Sequence, residues 1–310
     1  MERLTSEGGV PAHLRGAVMA LGNFDGFHLG HQAVVGRAVA RARVEGRPAI
    51  VATFDPHPVR LFQPDAPPFR LTTLAQRERL FAAAGADAML VFHFDRALAS
   101  RTAEQFVAML TDDLGAAGVV TGEDFTFGRG RAGTVALLGE LGARRDLWAE
   151  AVPAVRDAQG VISSSRIRDA LVEGDCSAAA HLLSRPFAIE GEIIHGDKRG
   201  RAIGFPTANM LLGPYLRPAY GVYAVRARLA DGRMLGGAAN LGVRPMFDPP
   251  RELLETFLFD FTGDLYGQTV EVALIARLRG EVRFAGVEAL VAQMDEDVRQ
   301  ARAILNQEDA

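Results

Sequence analysis

In the first half of the chain, short apolar runs alternate with amphipathic stretches. Five apolar runs lie between residues 17 and 153: AVMAL, PAIVATF, ADAMLVFHF, AGVVTG and LWAEAVP. Such runs are typical of strands buried on both faces, and the segments near 31–45, 74–84, 102–114 and 134–143 have helical spacing. This alternation predicts a parallel sheet with right-handed crossovers. Ligands of such sheets bind beyond the carboxyl ends of the strands.

The pattern changes at Phe187 to serial short strands separated by Gly and Pro. They include FAIEGEIIHG, GVYAVRARLADGRMLGGAANLG, LETFLFDFTGDLYG and QTVEVALIARL, and the ADG before Arg233 predicts a hairpin turn. This series predicts an antiparallel barrel or sandwich. A closing helix is predicted over 286–306, with one apolar face expected to pack on the strands. That face consists of Val287, Leu290, Val291, Met294, Val298, Ala301 and Ile304.

Length and composition agree with two modules. A chain of 310 residues with 48% hydrophobic residues can bury a large core, and its length favours two domains over one. We place the boundary near Ser184, which predicts an α/β domain over 1–184 and a β domain over 185–310.

Charge and cysteine content narrow the class of protein. A net charge of -4 and a pI near 6.0 argue against a broad surface for nucleic acid or anionic membrane. Cys176 is the only cysteine, which excludes an intramolecular disulfide and a Cys-rich zinc site. The N-terminus lacks the apolar region of a secretory signal, and the longest uncharged run, 202–216, is too short to span a membrane. We expect a cytoplasmic protein with small-molecule ligands, as a monomer or weak homo-oligomer.

The first candidate site is GNFDGFHLGHQ, which follows an apolar run and opens an amphipathic helix. A helix N-terminus favours an anion through its unpaired N–H groups and its dipole. Gly22, Gly26 and Gly30 permit close backbone approach, and His28 and His31 can donate hydrogen bonds to phosphate oxygens. Structural histidines or a metal half-site remain alternatives, although no HExxH or Cys-based signature accompanies the pair.

Three further stretches accompany this site. ISSSRIR, residues 162–168, offers serine hydroxyls at a helix start and an arginine one turn later, which suits phosphate or an ordinary N-cap with a solvated arginine. TFDPHP, residues 53–58, ends the second apolar run, and GEDFTFGRGRAGT, residues 122–134, ends the fourth. Both therefore fall where strand ends should meet a ligand.

A second candidate site is GDKRGRAIGFPTANM, residues 196–210. Its glycines suit a loop that wraps phosphate, although the GK[ST] of a Walker A sequence is absent. Thr207 and Asn209 supply neutral oxygens suited to Mg²⁺ and its bound phosphates. A glycine-rich barrel corner with a capping threonine is the alternative.

These motifs together resemble a known family. HLGH and ISSSRIR match the HxGH and ISSTxIR signatures of nucleotidylyl transferases, and with the two loops they resemble the adenylyltransferase module of prokaryotic bifunctional riboflavin kinase/FAD synthetases. GRAIGFPTAN, with GVYAV, NLGVRPMF and LETFLFDFTGDLYG, resembles the riboflavin kinases. The resemblance implies a Rossmann-like nucleotidylyl transferase domain with a parallel sheet, followed by a riboflavin kinase-like antiparallel β-barrel with a terminal helix.

The resemblance also implies roles for individual residues. The catalytic groups are His28, His31 and Arg168 in the first domain and Glu255, as the base for the flavin 5′-hydroxyl, in the second. ATP is bound by Gly22, Asn23, Phe24, Asp25, Gly30, Ser163, Ser164 and Ser165, and in the kinase by Gly200, Gly204, Thr207 and Asn209. Thr207 and Asn209 are also the implied Mg²⁺ ligands. Flavin is bound by Phe54, Pro56, Pro58, Asp124, Phe127 and Arg279.

Three residues depart from the family pattern. Ser165 replaces a common Thr and keeps the hydroxyl, whereas Met246 replaces a Thr and Phe257 a frequent His near the flavin.

The expected function is the conversion of riboflavin to FMN and of FMN to FAD, both with ATP. The alternatives are retention of one activity with the other domain binding or regulatory, a nucleotidylyl transferase for another acceptor, and a non-catalytic flavin carrier.

Overall fold

The apolar runs of the first half form one six-stranded sheet. In a computed structural model that describes residues 1–196, 204–244 and 251–308, the strand order is β1–β4–β3–β2–β5–β8, and every pairing is parallel. These strands are β1 (Glu2–Thr5), β2 (Val18–Leu21), β3 (Ala49–Asp55), β4 (Ala88–His93), β5 (Gly118–Gly122) and β8 (Trp148–Val152). The short pairs are β6 (Thr126–Phe127) with β7 (Gly133–Thr134), and β9 (Arg156–Asp157) with β10 (Gly160–Val161).

The helices between these strands confirm the predicted alternation. They are α1 (Leu29–Glu45), α2 (Pro58–Phe62), α3 (Leu74–Ala83), α4 (Arg96–Ser100), α5 (Ala103–Ala108) and α6 (Val135–Ala143). A π-helical turn over Met109–Asp113 continues α5. β1 was not predicted, because it is a largely exposed edge strand that pairs only through its backbone with β4.

Both faces of the sheet are buried. One apolar cluster contains Met19, Leu21, Ile50, Leu90 and Phe106, and the other contains Val18, Ala20, Val35, Val51 and Phe81. Alternate residues of β2 therefore point into different clusters, which explains why the strand is apolar at every position.

The chain divides into two compact units. The first comprises residues 1–67 and 72–163, and the second comprises residues 68–71 and 164–310. The second unit begins with α7 (Ser164–Glu173) and α8 (Cys176–Leu183). The predicted residues Gly200 and Met246 lie outside the described residues.

The strands of the second unit close into an antiparallel barrel. They are β11 (Phe187–Ile194), β12 (Ala208–Leu211), β13 (Gly221–Arg228), β14 (Met234–Arg244), β15 (Arg251–Leu258) and β16 (Thr269–Arg279). Their order is β11–β12–β15–β14–β13–β16, so the barrel alternative is confirmed and the sandwich is not. The predicted hairpin joins β13 to β14, with Gly232 at φ 88°.

The closing helix α9 (Val287–Glu308) packs on the outside of the barrel. Ala301 and Leu305 are buried against Ala224, Phe259 and Ile275. The predicted apolar face is buried at its C-terminal part, where Ala301 lies, whereas Val287 in the first turn is 61% exposed. Among the described residues, no helix has the length and apolarity to cross a membrane.

Two glycines of α6 provide a matched test of packing. A Cβ at Gly142 would lie 2.6 Å from the carbonyl oxygen of Leu147, whereas a Cβ at Gly139 would have no heavy atom within 4 Å. We expect Gly142→Ala to destabilise the first unit by about 1–3 kcal/mol, because backbone must move. Gly139→Ala should stabilise it by about 0.5–1 kcal/mol through helix propensity.

Urea unfolding followed by tryptophan fluorescence measures both effects, because the single tryptophan, Trp148, lies in β8 of the first unit. Equal effects of the two substitutions would contradict the close contact at Gly142.

Candidate functional site

The first candidate site lies at a reversal of the strand order. β2 pairs with β3 on one side and with β5 on the other, and the chain proceeds outward from β2 in both directions. At such a reversal the connections leave on opposite faces and open a crevice beyond the carboxyl ends of the strands. The loop 22–28 follows β2 at this position and leads into α1. The predicted placement of the HLGH motif at a helix N-terminus is therefore confirmed.

The two histidines are in direct contact. His28 is the N-cap of α1, and its Nδ1 accepts a hydrogen bond from the backbone N–H of His31 at 3.4 Å. The neutral His28 ring then carries its proton on Nε2, the tautomer that allows Nε2 to donate. The two rings stack with centroids 3.6 Å apart and planes 22° apart. Both imidazoles are thus oriented by the first turn of the helix.

Gly30 makes this arrangement possible. A Cβ at position 30 would lie 3.1 Å from Cε1 and 3.2 Å from Nδ1 of His28. At Gly22, a Cβ would lie 3.1 Å from the Phe24 ring. Glycine at both positions therefore allows side chains to lie directly on the backbone.

The residues between Gly22 and His28 shape the loop. Asn23 is exposed, whereas Phe24 and Asp25 are buried. The Asp25 Oδ1 accepts hydrogen bonds from the N–H of Thr72 at 3.1 Å and from its hydroxyl at 3.3 Å. The Phe24 ring meets the His31 ring edge-on, with centroids 5.3 Å apart. Asp25 and Phe24 therefore have structural contacts in addition to the ATP role predicted for them.

The two predicted flavin loops flank this loop. One follows β3 and the other follows β5, the two neighbours of β2. Pro56 follows β3, Pro58 is the first residue of α2, and Asp124 is exposed in the turn after β5. Parallel register therefore brings three distant sequence motifs to one edge of the sheet.

The aromatic residues of these loops are core residues. Phe54 is 7% exposed and stacks on Phe92 at 5.3 Å, and Phe127 is 6% exposed and packs on Phe106 at 5.2 Å. Phe92 and Phe106 are 6.0 Å apart, which completes a row of rings. Phe54 and Phe127 are thus placed to hold the loops, and their predicted flavin contacts stay a prediction.

The ISSSRIR motif contributes to both units. Ser163 ends the first unit, whereas Ser164, Ser165 and Arg168 belong to α7 of the second. The Arg168 Nε donates to the carbonyl of Phe69 at 2.9 Å, and its guanidinium lies 5.5 Å from the centre of the Phe69 ring. Arg168 therefore has defined partners in its own unit.

In the second unit, a row of polar residues crosses three strands. Asn209 of β12 and Asn240 of β14 are both directly opposite Glu255 of β15. Residues opposite each other in an antiparallel pair share a face and have Cβ atoms about 4.5–5.5 Å apart. The barrel thus brings the predicted base next to a predicted Mg²⁺ ligand. The barrel also places Asn240 beside Glu255. Asn240 is not among the predicted site residues, although it is the first residue of the NLGVRPMF motif.

Thr207 and Asn209 are locally tied together. Asn209 is 6% exposed, and its Nδ2 donates to the carbonyl of Thr207 at 3.3 Å. A Cβ at Gly196 would lie 2.5 Å from this Nδ2, so glycine lets the backbone lie on the amide. Gly204, with φ 89°, precedes the pair in the left-handed region.

Glu252 and Glu255 are distinguished by their partners. Arg217 Nε donates to Glu252 Oε2 at 2.7 Å, and the Tyr220 hydroxyl donates to Glu252 Oε1. Burial raises the pKa of the Glu252 carboxyl, but the hydrogen bonds from Tyr220 and Arg217 lower it further, so the pKa lies below its ordinary value. Glu252 is therefore held as a carboxylate in a structural network, on the other face of the strand from Glu255.

Arg279 and Phe257 also have defined partners. The Arg279 guanidinium forms two hydrogen bonds with the Asp297 carboxylate of α9, at 2.8 and 2.6 Å. This ion pair fixes α9 to the end of β16, so Arg279 has a structural role, and its predicted flavin contact stays a prediction. Phe257, two residues after Glu255, packs on Phe205 at 5.2 Å.

No cluster of three or more His, Cys, Asp or Glu side chains suited to a metal occurs among the described residues. The predicted Mg²⁺ ligands Thr207 and Asn209 are not among these four residue types, because they would bind a metal through neutral hydroxyl and amide oxygens.

Known proteins resemble both units. A family model described as FAD synthetase matches residues 10–166, and one described as riboflavin kinase matches residues 183–305. A bifunctional riboflavin kinase/FMN adenylyltransferase of Escherichia coli (strain K12) is 39% identical over 288 residues, covering 93% of this chain and 92% of the relative. The corresponding protein of Bacillus subtilis (strain 168) is 38% identical over 294 residues, covering 92% and 91%.

A solved structure matches nearly the whole chain. It is described as a macrolide-efflux protein from Streptococcus pneumoniae and has 33% sequence identity and a TM-score of 0.86. The match covers 96% of this chain and 97% of that chain.

The Glu252 network makes a prediction about pH. In Tyr220→Phe the carboxylate loses a donor, so the Glu252 pKa should rise, as carboxyl NMR can measure. A pKa lowered by folding adds stability above the unfolded pKa, and that stability is lost as the pH falls through the folded pKa. The variant should therefore melt at a lower temperature than the original chain at pH 7, with a smaller difference near pH 3.

Tyr266→Phe is the control, because the Tyr266 ring packs on His195 at 3.7 Å. An unchanged Glu252 pKa in Tyr220→Phe would contradict the role of that hydrogen bond.

Proposed function

Because this chain belongs to the family of bifunctional riboflavin kinase/FMN adenylyltransferases, we propose that each of its two sites performs one of the two reactions. The loop after β2 transfers the adenylyl group of ATP to FMN, which forms FAD and pyrophosphate. The row Asn209–Glu255–Asn240 marks the site where ATP phosphorylates riboflavin to FMN. The observation that carries this division is the position of the two histidines at the reversal of the sheet and of Glu255 beside Asn209.

We propose the domain boundary near Ser184. The FAD synthetase match ends at residue 166 and the riboflavin kinase match begins at 183, which agrees with catalytic domains over 1–184 and 185–310. In the structure α7 and α8 belong to the same compact unit as the barrel. A domain defined by its reaction and a unit defined by packing therefore need not end at the same residue.

In adenylylation, the FMN phosphate attacks the α-phosphorus of ATP and pyrophosphate leaves. This needs no covalent enzyme intermediate, so catalysis rests on positioning and on charge stabilisation. His28 and His31 donate to the phosphate oxygens from the N-terminus of α1, and its N–H groups add to the same field. From the family resemblance we further propose that Arg168 contributes positive charge, and Ser163, Ser164 and Ser165 contribute hydroxyl groups, to the binding of ATP. Removal of one preorganised donor of this type typically costs about 10²–10³-fold in rate.

In phosphorylation, Glu255 takes the proton from the 5′-hydroxyl of riboflavin as the oxygen attacks the γ-phosphorus. An alcohol is a weak nucleophile, and a positioned base typically contributes about 10²–10⁴-fold. Asn209 on one neighbouring strand and Asn240 on the other flank this carboxylate. Glu252 is unsuited to the role, because Tyr220 and Arg217 already occupy its two oxygens.

Thr207 and Asn209 fit Mg²⁺. A hydroxyl and an amide oxygen are hard, neutral donors of the kind that accompany ATP phosphates around this ion. The glycine at position 196 leaves the Asn209 amide in close contact with the backbone, which limits its rotation. When bound, Mg²⁺ would neutralise phosphate charge, and we propose that both reactions use MgATP.

We propose that riboflavin, FMN and ATP are the ligands, without nucleic acid or membrane as a partner. Both reactions consume ATP, which favours a cytoplasmic location, and nothing in the proposed chemistry requires more than a monomer or weak homo-oligomer. Retention of a single activity is the alternative, and the experiments below separate it from the proposal.

The histidine pair determines whether the reaction proceeds beyond FMN. With riboflavin, Mg²⁺ and ATP, the original chain should form FMN and then FAD, as chromatography of the flavins over time will show. In the double variant His28→Ala and His31→Ala, the products should stop at FMN, because the phosphate donors are gone. His13→Ala, at an exposed histidine of the same unit, is the control. FAD formation at the original rate by the double variant would refute the assignment.

Glu255 determines whether FMN forms at all. Glu255→Gln should lower riboflavin phosphorylation by about 10²-fold or more, because the general base is removed. The same variant should still convert supplied FMN to FAD at the original rate. Glu252→Gln is the matched control on the same strand and should retain phosphorylation while the protein loses thermal stability. If Glu252→Gln lost phosphorylation and Glu255→Gln did not, the base would be Glu252.

A further inference from the structure

The loop before α1 has an unusual backbone. Phe24 has φ 49°, Gly26 has φ 87° and Phe27 has φ 45°, all in the left-handed region. Phenylalanine rarely adopts that region, and such conformations persist only where surrounding contacts impose them. The loop ends at His28. The conformation of this loop therefore helps to position the two imidazoles. The contacts that impose this conformation then affect the proposed binding of phosphate.

One segment supplies contacts at both ends of the strained stretch. The segment 72–81, which we term the anchoring segment, consists of Thr72, Thr73 and the first eight residues of α3. The Thr72 hydroxyl accepts a hydrogen bond from the N–H of Gly26 at 2.9 Å. The Phe81 ring meets the rings of Phe24 and Phe27 edge-on, with centroids 5.8 and 5.1 Å away. Thr72 thus holds the middle of the loop, while Phe81 holds the two phenylalanines on either side.

Arg77, in the middle of the anchoring segment, holds the start of the loop. Its Nη1 donates to the carbonyl oxygen of Asn23 at 3.2 Å and to the hydroxyl of Thr53 at 2.8 Å. The Thr53 hydroxyl donates in turn to the same carbonyl at 2.9 Å. The Asn23 carbonyl is therefore held by two donors, one from α3 and one from β3.

The burial of this arginine requires a reason. Arg77 is 2% exposed and Thr53 is fully buried. Arginine is among the residues least often buried, because removal of its charge from water is costly. An apolar side chain would fill the same space without that cost. Unlike an apolar side chain, Arg77 can donate a hydrogen bond to the Asn23 carbonyl, which lies beyond the last residue of β2.

We propose that Arg77 is a positioning residue for FMN adenylylation. It fixes the peptide of Asn23, and the following Phe24 carries that constraint to the His31 ring, 5.3 Å away. The inference rests on the proposed role of His28 and His31. It assigns a function to α3, to which neither the motifs nor the family resemblance gave one.

The first test compares substitutions by what they retain. Arg77→Met keeps the length of the side chain and removes the hydrogen bonds that Nη1 donates to Asn23 and Thr53. We expect kcat/KM for ATP in FAD formation to fall by about tenfold or more, since displacement of about 1 Å can cost 10²-fold. Arg77→Lys, which retains a donor, should recover part of the loss. Thr53→Val removes the second donor and should have a smaller effect, which Thr53→Ser should largely reverse.

Two controls separate positioning from loss of fold. Arg79→Met, at an exposed arginine of the same helix, should leave FAD formation unchanged. Phosphorylation of riboflavin, measured on the same chain, should stay at the original rate in every variant. Unfolding followed through Trp148 reports whether the first unit remains folded, and Thr53→Val provides the test if Arg77→Met does not fold.

A double variant tests the route through the histidines. If Arg77 acts by placing His31, then Arg77→Met should cause little further loss when His31 is already Ala. A purely structural role would add its own loss in that background. Original ATP kinetics in Arg77→Met, or fully additive losses, would overturn the inference. Unimpaired FAD formation in His31→Ala alone would instead overturn the proposed role of that histidine, and this inference with it.

Discussion

The parallel pairing of β2 with β3 on one side and β5 on the other is the constraint on which the first site depends. β2 is four residues long and almost fully buried, so its register with both neighbours is set by apolar side chains on its two faces. That register brings the carboxyl ends of three strands to one edge. The loops bearing His28, Pro56 and Asp124 consequently meet there, although up to 96 residues separate them in sequence.

Close backbone contacts refine what the sheet places. Gly30 brings the α1 backbone against the His28 ring, and Gly196 does the same for the Asn209 amide. Phe54 and Phe127, by contrast, are loop aromatic residues whose side chains are buried in the core. The first site is therefore built from exposed loop ends whose bases are packed like the interior of the protein.

In the barrel, antiparallel strand pairing brings together the residues of the second site. Asn209, Asn240 and Glu255 come from three strands, and lateral register alone puts them in one row. Glu252 and Glu255 are only three residues apart, but their carboxylates have different neighbours. Glu252 is paired with Arg217 and Tyr220, whereas Glu255 lies beside the two asparagines.

The elements and the motifs were predictable from the amino-acid sequence alone. The buried parallel strands, the α helices between them and the serial strands of the second half follow from hydrophobic period, which is a local property, and the HLGH and GFPTAN motifs are contiguous. The edge strand β1 and the exposure of Val287 were not predictable in this way, because neither has an apolar signal that distinguishes it. The contacts between distant residues were not predictable: Asn240 lies opposite Glu255, Asp25 bonds to Thr72, and Arg77 bonds to the Asn23 carbonyl. Strand register and helix packing are set by the whole core, so contacts between distant residues leave no pattern at either residue alone.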